Sequence, residues 1–156
     1  MAHLTSVKEG RDCHELEKHA LGFESTPMAQ CSFLAAFWDL SGGSFVSARA
    51  MHASGGLTAD DVDKVTKDLA GKLQVMVVLI TGTTFDADKS YLDGSVLKEL
   101  QSRTTKNNWN FWRYQYKADM NNFVLTRAGA FLSKSDWQKG QGKGKLPANA
   151  NRCVIL

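Results

Sequence analysis

No apolar run in the 156 residues approaches the ~20 that a spanning helix requires, so no transmembrane segment is expected. The start, Met1 to Gly10, is polar and lacks the apolar stretch of a secretory signal. Cysteine is scarce. Cys13, Cys31 and Cys153 form no Cys-x-x-Cys pair, which argues against a disulfide framework or a structural zinc site. There is no Asn-x-Ser/Thr sequon, in keeping with a protein that is not secreted. No Ser-His-Asp, Cys-His or metal-ligand set stands at a recognisable spacing, and His14-Glu15 does not complete His-Glu-x-x-His because the next histidine is His19. These absences lean away from an enzyme and from a metal or cofactor.

What is present is ordinary in bulk and uneven along the chain. With 43% hydrophobic, 22% charged and 10% aromatic residues, the composition is that of a globular protein. A chain of this length forms one domain that buries roughly two-thirds of its unfolded surface. The net charge is +3, but residues 134–156 carry five basic side chains (Lys134, Lys139, Lys143, Lys145, Arg152) against Asp136 alone. The first 133 residues therefore hold 14 of the 19 basic and 15 of the 16 acidic residues, a net of −1 against +4 for the tail. A near-neutral body argues against nucleic acid as the partner.

The stretch Gln138 to Arg152 has three glycines, a proline, amides and lysines, and almost nothing to bury. It reads as a flexible basic linker, 138–156, after a globular domain over 1–137. The linker ends in Cys153-Val154-Ile155-Leu156. Cysteine, two aliphatic residues and a final leucine resemble the prenylation box, with leucine selecting geranylgeranyl. A single lipid binds membranes only marginally, and Lys139, Lys143, Lys145 and Arg152 supply the second signal toward an anionic cytosolic leaflet. A cytoplasmic, peripheral membrane location follows as the expectation.

In the body, Cys13, Leu16, Glu17 and Ala20 share a narrow stripe that suggests a first helix over 11–21, at the edge of the domain. Cys31–Asp39 and Ser44–Met51 are apolar runs joined by a Gly-Gly loop, the pattern of a β-hairpin. Cys31 reads as a small core residue. Thr58 with Asp61 caps a helix over 58–73, along which Val62, Val65, Leu69 and Leu73 recur. Val75–Ile80 is the run of a central strand buried on both faces. Thr81-Gly-Thr-Thr-Phe85 is a glycine turn without the endings that phosphate loops require. Asp88–Arg103 suggests another helix, Asn107–Lys117 an aromatic strand, and Asn122–Thr126 a last strand completing the sheet. On the aromatic strand, Trp112, Tyr114 and Tyr116 face one way, and Trp109, Phe111, Arg113 and Lys117 the other. The fold class is α+β: a single domain with a mainly antiparallel sheet of about five strands, flanked by two or three helices.

Phe33-Leu-Ala-Ala-Phe-Trp-Asp-Leu-Ser-Gly-Gly-Ser-Phe-Val-Ser-Ala48, followed by Ser54-Gly-Gly-Leu-Thr-Ala-Asp-Asp-Val-Asp63, resembles the opening of roadblock- and profilin-type domains. There, a hairpin with an Asp-x-x-Gly turn leads into an amphipathic helix. The resemblance implies a non-enzymatic scaffold that dimerises and serves a protein partner such as a small GTPase. Together with the tail, it points to a prenylated adaptor at a membrane. The alternative is a small α+β enzyme or ligand-binding protein with an aromatic-lined pocket, whose polar groups Asp39, His52, Asp86, Arg113 and Tyr114 could supply.

Overall fold

The computed structural model describes residues 3–28, 31–82, 94–116, 122–139 and 151–152. In chain order the elements are β1 (Thr5–Val7), β2 (His14–Glu15), β3 (Gly22–Ser25), β4 (Cys31–Ser41), β5 (Ser44–Ser54), α1 (Ala59–Val65) and β6 (Met76–Gly82). There follow α2 (Gly94–Asn107), β7 (Asn110–Tyr116), β8 (Phe123–Thr126), β9 (Phe131–Ser133), α3 (Lys134–Gln138) and β10 (Asn151–Arg152). The class is α+β, in one domain, with strands in two sheets ordered β1-β3-β8-β9 and β10-β7-β6-β4-β5-β2.

The hairpin forms as its sequence demands, and is longer than the sequence suggests. β4 and β5 pair from Cys31↔Ser54 to Ser41↔Ser44, closing on Gly42 and Gly43 at φ +61° and +80°. Two successive positive φ values are those of the two-residue turn that matches strand twist, and glycine adopts them without strain. β6 lies antiparallel to β4 on one side and parallel to β7 on the other. It is the central strand expected from its apolar run, with both faces buried.

Alternation along these strands sorts the core into two layers. Phe33, Ala35 and Phe37 of β4, with Val78 and Ile80 of β6, face the second sheet and pack on Phe23, Phe123, Leu125 and Phe131. Leu34, Ala36 and Trp38, with Val77 and Leu79, face the opposite way onto Val62, Val65, Val96, Leu100 and Phe111. The six-stranded sheet is thus the middle layer, between α1 and α2 on one face and the four-stranded sheet on the other.

Three expectations are corrected. Residues 11–21 are not a helix: His14 and Glu15 pair with Ala50 and Arg49 as the edge strand β2. The narrow stripe offers a helix little to bury, whereas β5 has an open edge, and Leu16 N–H donates to the Ala48 carbonyl at 2.9 Å. Cys13, expected on that helix, is a half-buried loop residue against the helix-side core. The helix begun by Thr58 stops at Val65, capped at Thr66, and Asp68 takes a positive φ of +62°. Leu69 is still buried, but Leu73 is 83% exposed. The expected single sheet is in fact two, each mainly antiparallel as expected but with one parallel pair, β1 with β3 and β6 with β7. Phe123–Thr126 belongs to the smaller one, antiparallel to β3 and β9. Its four residues are all buried, so it serves as the lid of the apolar layer and not as an edge of the first sheet.

The second crossover helix runs Gly94–Asn107, and the earlier part of the expected 88–103 lies outside the described residues. Among the described side chains the aromatic strand divides its faces as expected: Trp109 and Phe111 pack with the helix-side core, and Trp112 and Tyr114 with the sheet-side core, while the side chains of Tyr116 and Lys117 lie outside the described residues. Within the tail, Asn151 and Arg152 pair antiparallel with Arg113 and Trp112, which adds a short strand where an unpaired linker was expected.

Candidate functional site

The described members of the sequence-derived pocket do not converge. His52 and Tyr114 lie on one sheet row, His52–Phe33–Ile80–Tyr114, so Phe33 and Ile80 stand between them. At ~4.8 Å per strand they are roughly 14 Å apart. Arg113 is on the opposite face from Tyr114, whose ring packs 4.7 Å from that of Phe131. Asp39 sits at the other end of the hairpin, exposed and 3.9 Å from Lys72. Asp86 lies outside the described residues.

His52 is nonetheless unusual. It is fully buried, with Nδ1 3.2 Å from the Val7 carbonyl and 3.1 Å from Thr26 Oγ1. A carbonyl only accepts, so the ring proton belongs on Nδ1. Nε2 is left buried with no partner. Burial lowers the histidine pKa from its ordinary value, offset in part by the Val7 carbonyl and by Glu9. The neutral ring is therefore the stable form here.

Two surface clefts carry more. The first, about 340 Å³, lies between α2 and the connection after α1. Glu99, Ser102, Arg103 and Lys106 recur at helical spacing along its α2 wall, and Trp109 closes its end. Arg103 is already engaged. It donates to Glu99 at 2.8 Å, to Thr66 Oγ1 at 3.0 Å, and to Asp63. These carboxylates raise its pKa against the lowering effect of burial. Trp109 is different, since the residue is 3% exposed and its Nε1, a donor only, has no acceptor. Lys106 at the last turn adds positive charge where the helix dipole favours it. The aromatic run marked Trp109 in the sequence, but no local pattern showed that it would meet α2.

The second cleft, about 240 Å³, is apolar. Leu40 and Phe45 from the hairpin, Met76 of β6, Trp112 of β7 and Gly129 from the β8–β9 turn line it. Gly129 has φ +83° and its Cα lies close under Met76, whose terminal carbon would stand 3.8 Å from an added Cβ. Leu40 remains 37% exposed. The ladder from β10 reaches the same place, since Arg152 pairs with Trp112.

Of the tail residues, Lys139 is the exposed C-cap of α3. Arg152 is placed by its backbone pairing, and Lys143, Lys145 and Cys153 lie outside the described residues. Among the described residues no group of three or more His, Cys, Asp or Glu side chains is placed to hold a metal ion. No described helix is long and apolar enough to cross a membrane. No protein-family model matches the chain, and no curated protein matches it at a significant level.

Proposed function

We propose that the chain is a prenylated interaction module that works at a cytosolic membrane face and binds a protein partner there. The observation that carries this reading is Cys153-Val154-Ile155-Leu156, preceded by Lys139, Lys143, Lys145 and Arg152. One geranylgeranyl chain gives reversible binding, and each basic residue close to an anionic leaflet adds about 1 kcal/mol. The roadblock- and profilin-like stretch supports the interaction half of the proposal. Its hairpin leads through a capped helix into a central strand, and in the domains it resembles that order belongs to scaffolds that dimerise and serve a protein partner such as a small GTPase.

The reading requires Leu156 to carry the free carboxylate, which one measurement tests together with the lipid. Intact mass of the protein from eukaryotic cells is expected to show an added geranylgeranyl group, absent from Cys153→Ser. Membrane partitioning should fall with the same substitution. An unmodified mass with unchanged partitioning would overturn the proposal.

A second reading, a small-molecule-binding protein, is favoured by the α2 cleft, whose lining includes Lys106, Arg103 and Trp109. A cleft with Lys106 on its wall and a tryptophan at its end suits a ligand that presents an anionic group. Saturable quenching of tryptophan fluorescence by inorganic phosphate or a short carboxylate, lost in Lys106→Ala, would support it. A flat titration would remove it.

A further inference from the structure

We infer that Arg113 of β7 and Thr81 of β6, with the start of α2, form a binding site for a phosphate group. It is separate from the α2 cleft, whose wall runs from Glu99 to Trp109 at the other end of the helix.

β6 and β7 are parallel, with Leu79 opposite Arg113 and Thr81 opposite Gln115. Val77 and Leu79 of β6 and Phe111 of β7 pack in the helix-side core. Residues two apart on a strand share a face, so Thr81 and Arg113 turn to that side too. A strand spacing of ~4.8 Å and a rise of ~3.3 Å per residue put their Cα atoms about 8 Å apart. A ligand lying between them is within reach of the hydroxyl and of the long arginine stem.

Both groups lack partners. Thr81 is 3% exposed, and its Oγ1 is buried without a hydrogen bond. Arg113 is half-buried, and its Nε is sealed from solvent and equally unpartnered. Arg11, Arg49 and Arg103 each meet a carboxylate, and Arg127 is spread over backbone carbonyls. Among the described residues no carboxylate pairs with Arg113. Buried donors are seldom left unmade, and a half-buried cation without a counter-charge favours an anion beside it.

The start of α2 adds a third contribution. The helix ends at Asn107, next to Asn110, which opposes Met76 at the beginning of β6. Its 14 residues span about 21 Å, close to the ~23 Å of the seven-residue β6, and Val96 and Leu100 lie on the helix-side core. Its N-terminus therefore stands at the Thr81 end of the sheet. No acidic residue in the first turn neutralises the positive end of the dipole there. A guanidinium fork, a hydroxyl and a helix start approach from different directions. A tetrahedral phosphate offers an oxygen to each, and arginine grips two of its oxygens at once. The phosphate belongs to a soluble ester or to a lipid headgroup, which present the same chemistry.

The test uses the full, unlipidated chain labelled for nuclear magnetic resonance. Inorganic phosphate is expected to move the amide signals of Thr81 and of 94–96 saturably, and chloride at matched ionic strength is not. Arg113→Gln should weaken binding at least tenfold, and the isosteric Thr81→Val about fivefold. Phosphatidylcholine vesicles containing phosphatidic acid separate the sources. Competition with inorganic phosphate assigns a lipid headgroup, and its absence a soluble ester. A flat phosphate titration of the unaltered chain would overturn the inference, with no variant needed. So would undiminished binding by Arg113→Gln. Shifts centred on Lys106 and Trp109 would overturn it as well, because the phosphate would then occupy the α2 cleft.

Discussion

Arg49 stands over the ring of Trp38, its guanidinium carbon 5.0 Å from the ring centroid. The same side chain donates from Nε to Glu15 at 2.8 Å, and from Nη1 to the carbonyls of Val65 at 3.2 Å and Lys67 at 3.0 Å. One residue of β5 thereby holds the edge strand β2 and terminates α1. A cation at a helix C-terminus is favoured by the dipole as well as by the orphan carbonyls. Arg49→Met, which keeps the stem and removes the fork, is expected to cost about 2 kcal/mol in urea unfolding. Arg49→Lys should recover only part of that, because an ammonium cannot reach both Glu15 and the helix end.

Asp61 closes the other end of α1. Its carboxylate accepts from Thr58 N–H at 2.9 Å and from Arg11, while Thr58 Oγ1 accepts from Asp61 N–H at 3.2 Å. The Asp61 side chain is only 2% exposed. Asp61→Ala strands the Thr58 amide and removes the ion pair with Arg11, which keeps the Gly56 carbonyl at 2.8 Å, and should cost about 2 kcal/mol. Thr58→Ala, which removes one cap bond, should cost about 1 kcal/mol. Thermal denaturation followed by far-ultraviolet dichroism ranks the two.

His52 sets a pH dependence. Burial lowers its pKa in the folded state, so below the ordinary histidine value of about 6.5 the unfolded chain binds a proton that the folded chain refuses. The His52 contribution to stability is therefore constant above that value and falls as the pH drops through it, until the folded pKa is reached. His52→Phe removes the titration and should flatten this part of the curve. Denaturation midpoints measured across the interval in both proteins check the sign.

Gly22 permits β3 to approach β8. A Cβ there would lie 2.7 Å from the Thr126 Cα and closer still to the Leu125 carbonyl oxygen. These are backbone atoms that cannot swing away. Gly22→Ala is expected to part the two strands at a cost of about 3 kcal/mol, with the loss concentrated in amide protection of the smaller sheet.

Arg127 replaces secondary structure for a stretch that has little. It donates to the carbonyls of Glu17 at 2.7 Å, Lys18 at 3.2 Å, Ala20 at 2.6 Å and Phe45 at 3.0 Å, and to Val46. Arg127→Ala leaves those acceptors to water or to nothing, and should cost about 3 kcal/mol. Arg127→Lys should be nearly as damaging. Limited proteolysis within 16–21 should appear first in both variants.

The hairpin, the helix start at Thr58 and the buried strand at Met76–Gly82 were legible because each is decided within a few residues. A Gly-Gly turn at positive φ, a threonine whose hydroxyl reaches three residues on, and an unbroken apolar run need no distant partner to be recognised. Cys31 in the core follows from the same local pattern. The candidate pocket was not legible. Asp39, His52, Arg113 and Tyr114 are each plausible polar groups in sequence, but which strand lies beside which, and which face it turns, separates them.

By itself, the sequence determined the α+β class, the alternation that divides the core into two layers, and the polarity of the tail, since these depend on side-chain chemistry at short range. Tertiary structure alone decided that residues 14 and 15 form a strand on the edge of β5, and that Phe123–Thr126 closes a second sheet. It also decided that Trp109 meets α2 and that the chain at Arg152 comes to rest beside Trp112. A backbone amide or an apolar side chain is satisfied by any suitable partner, and the partner is chosen by the free energy of the whole packed arrangement.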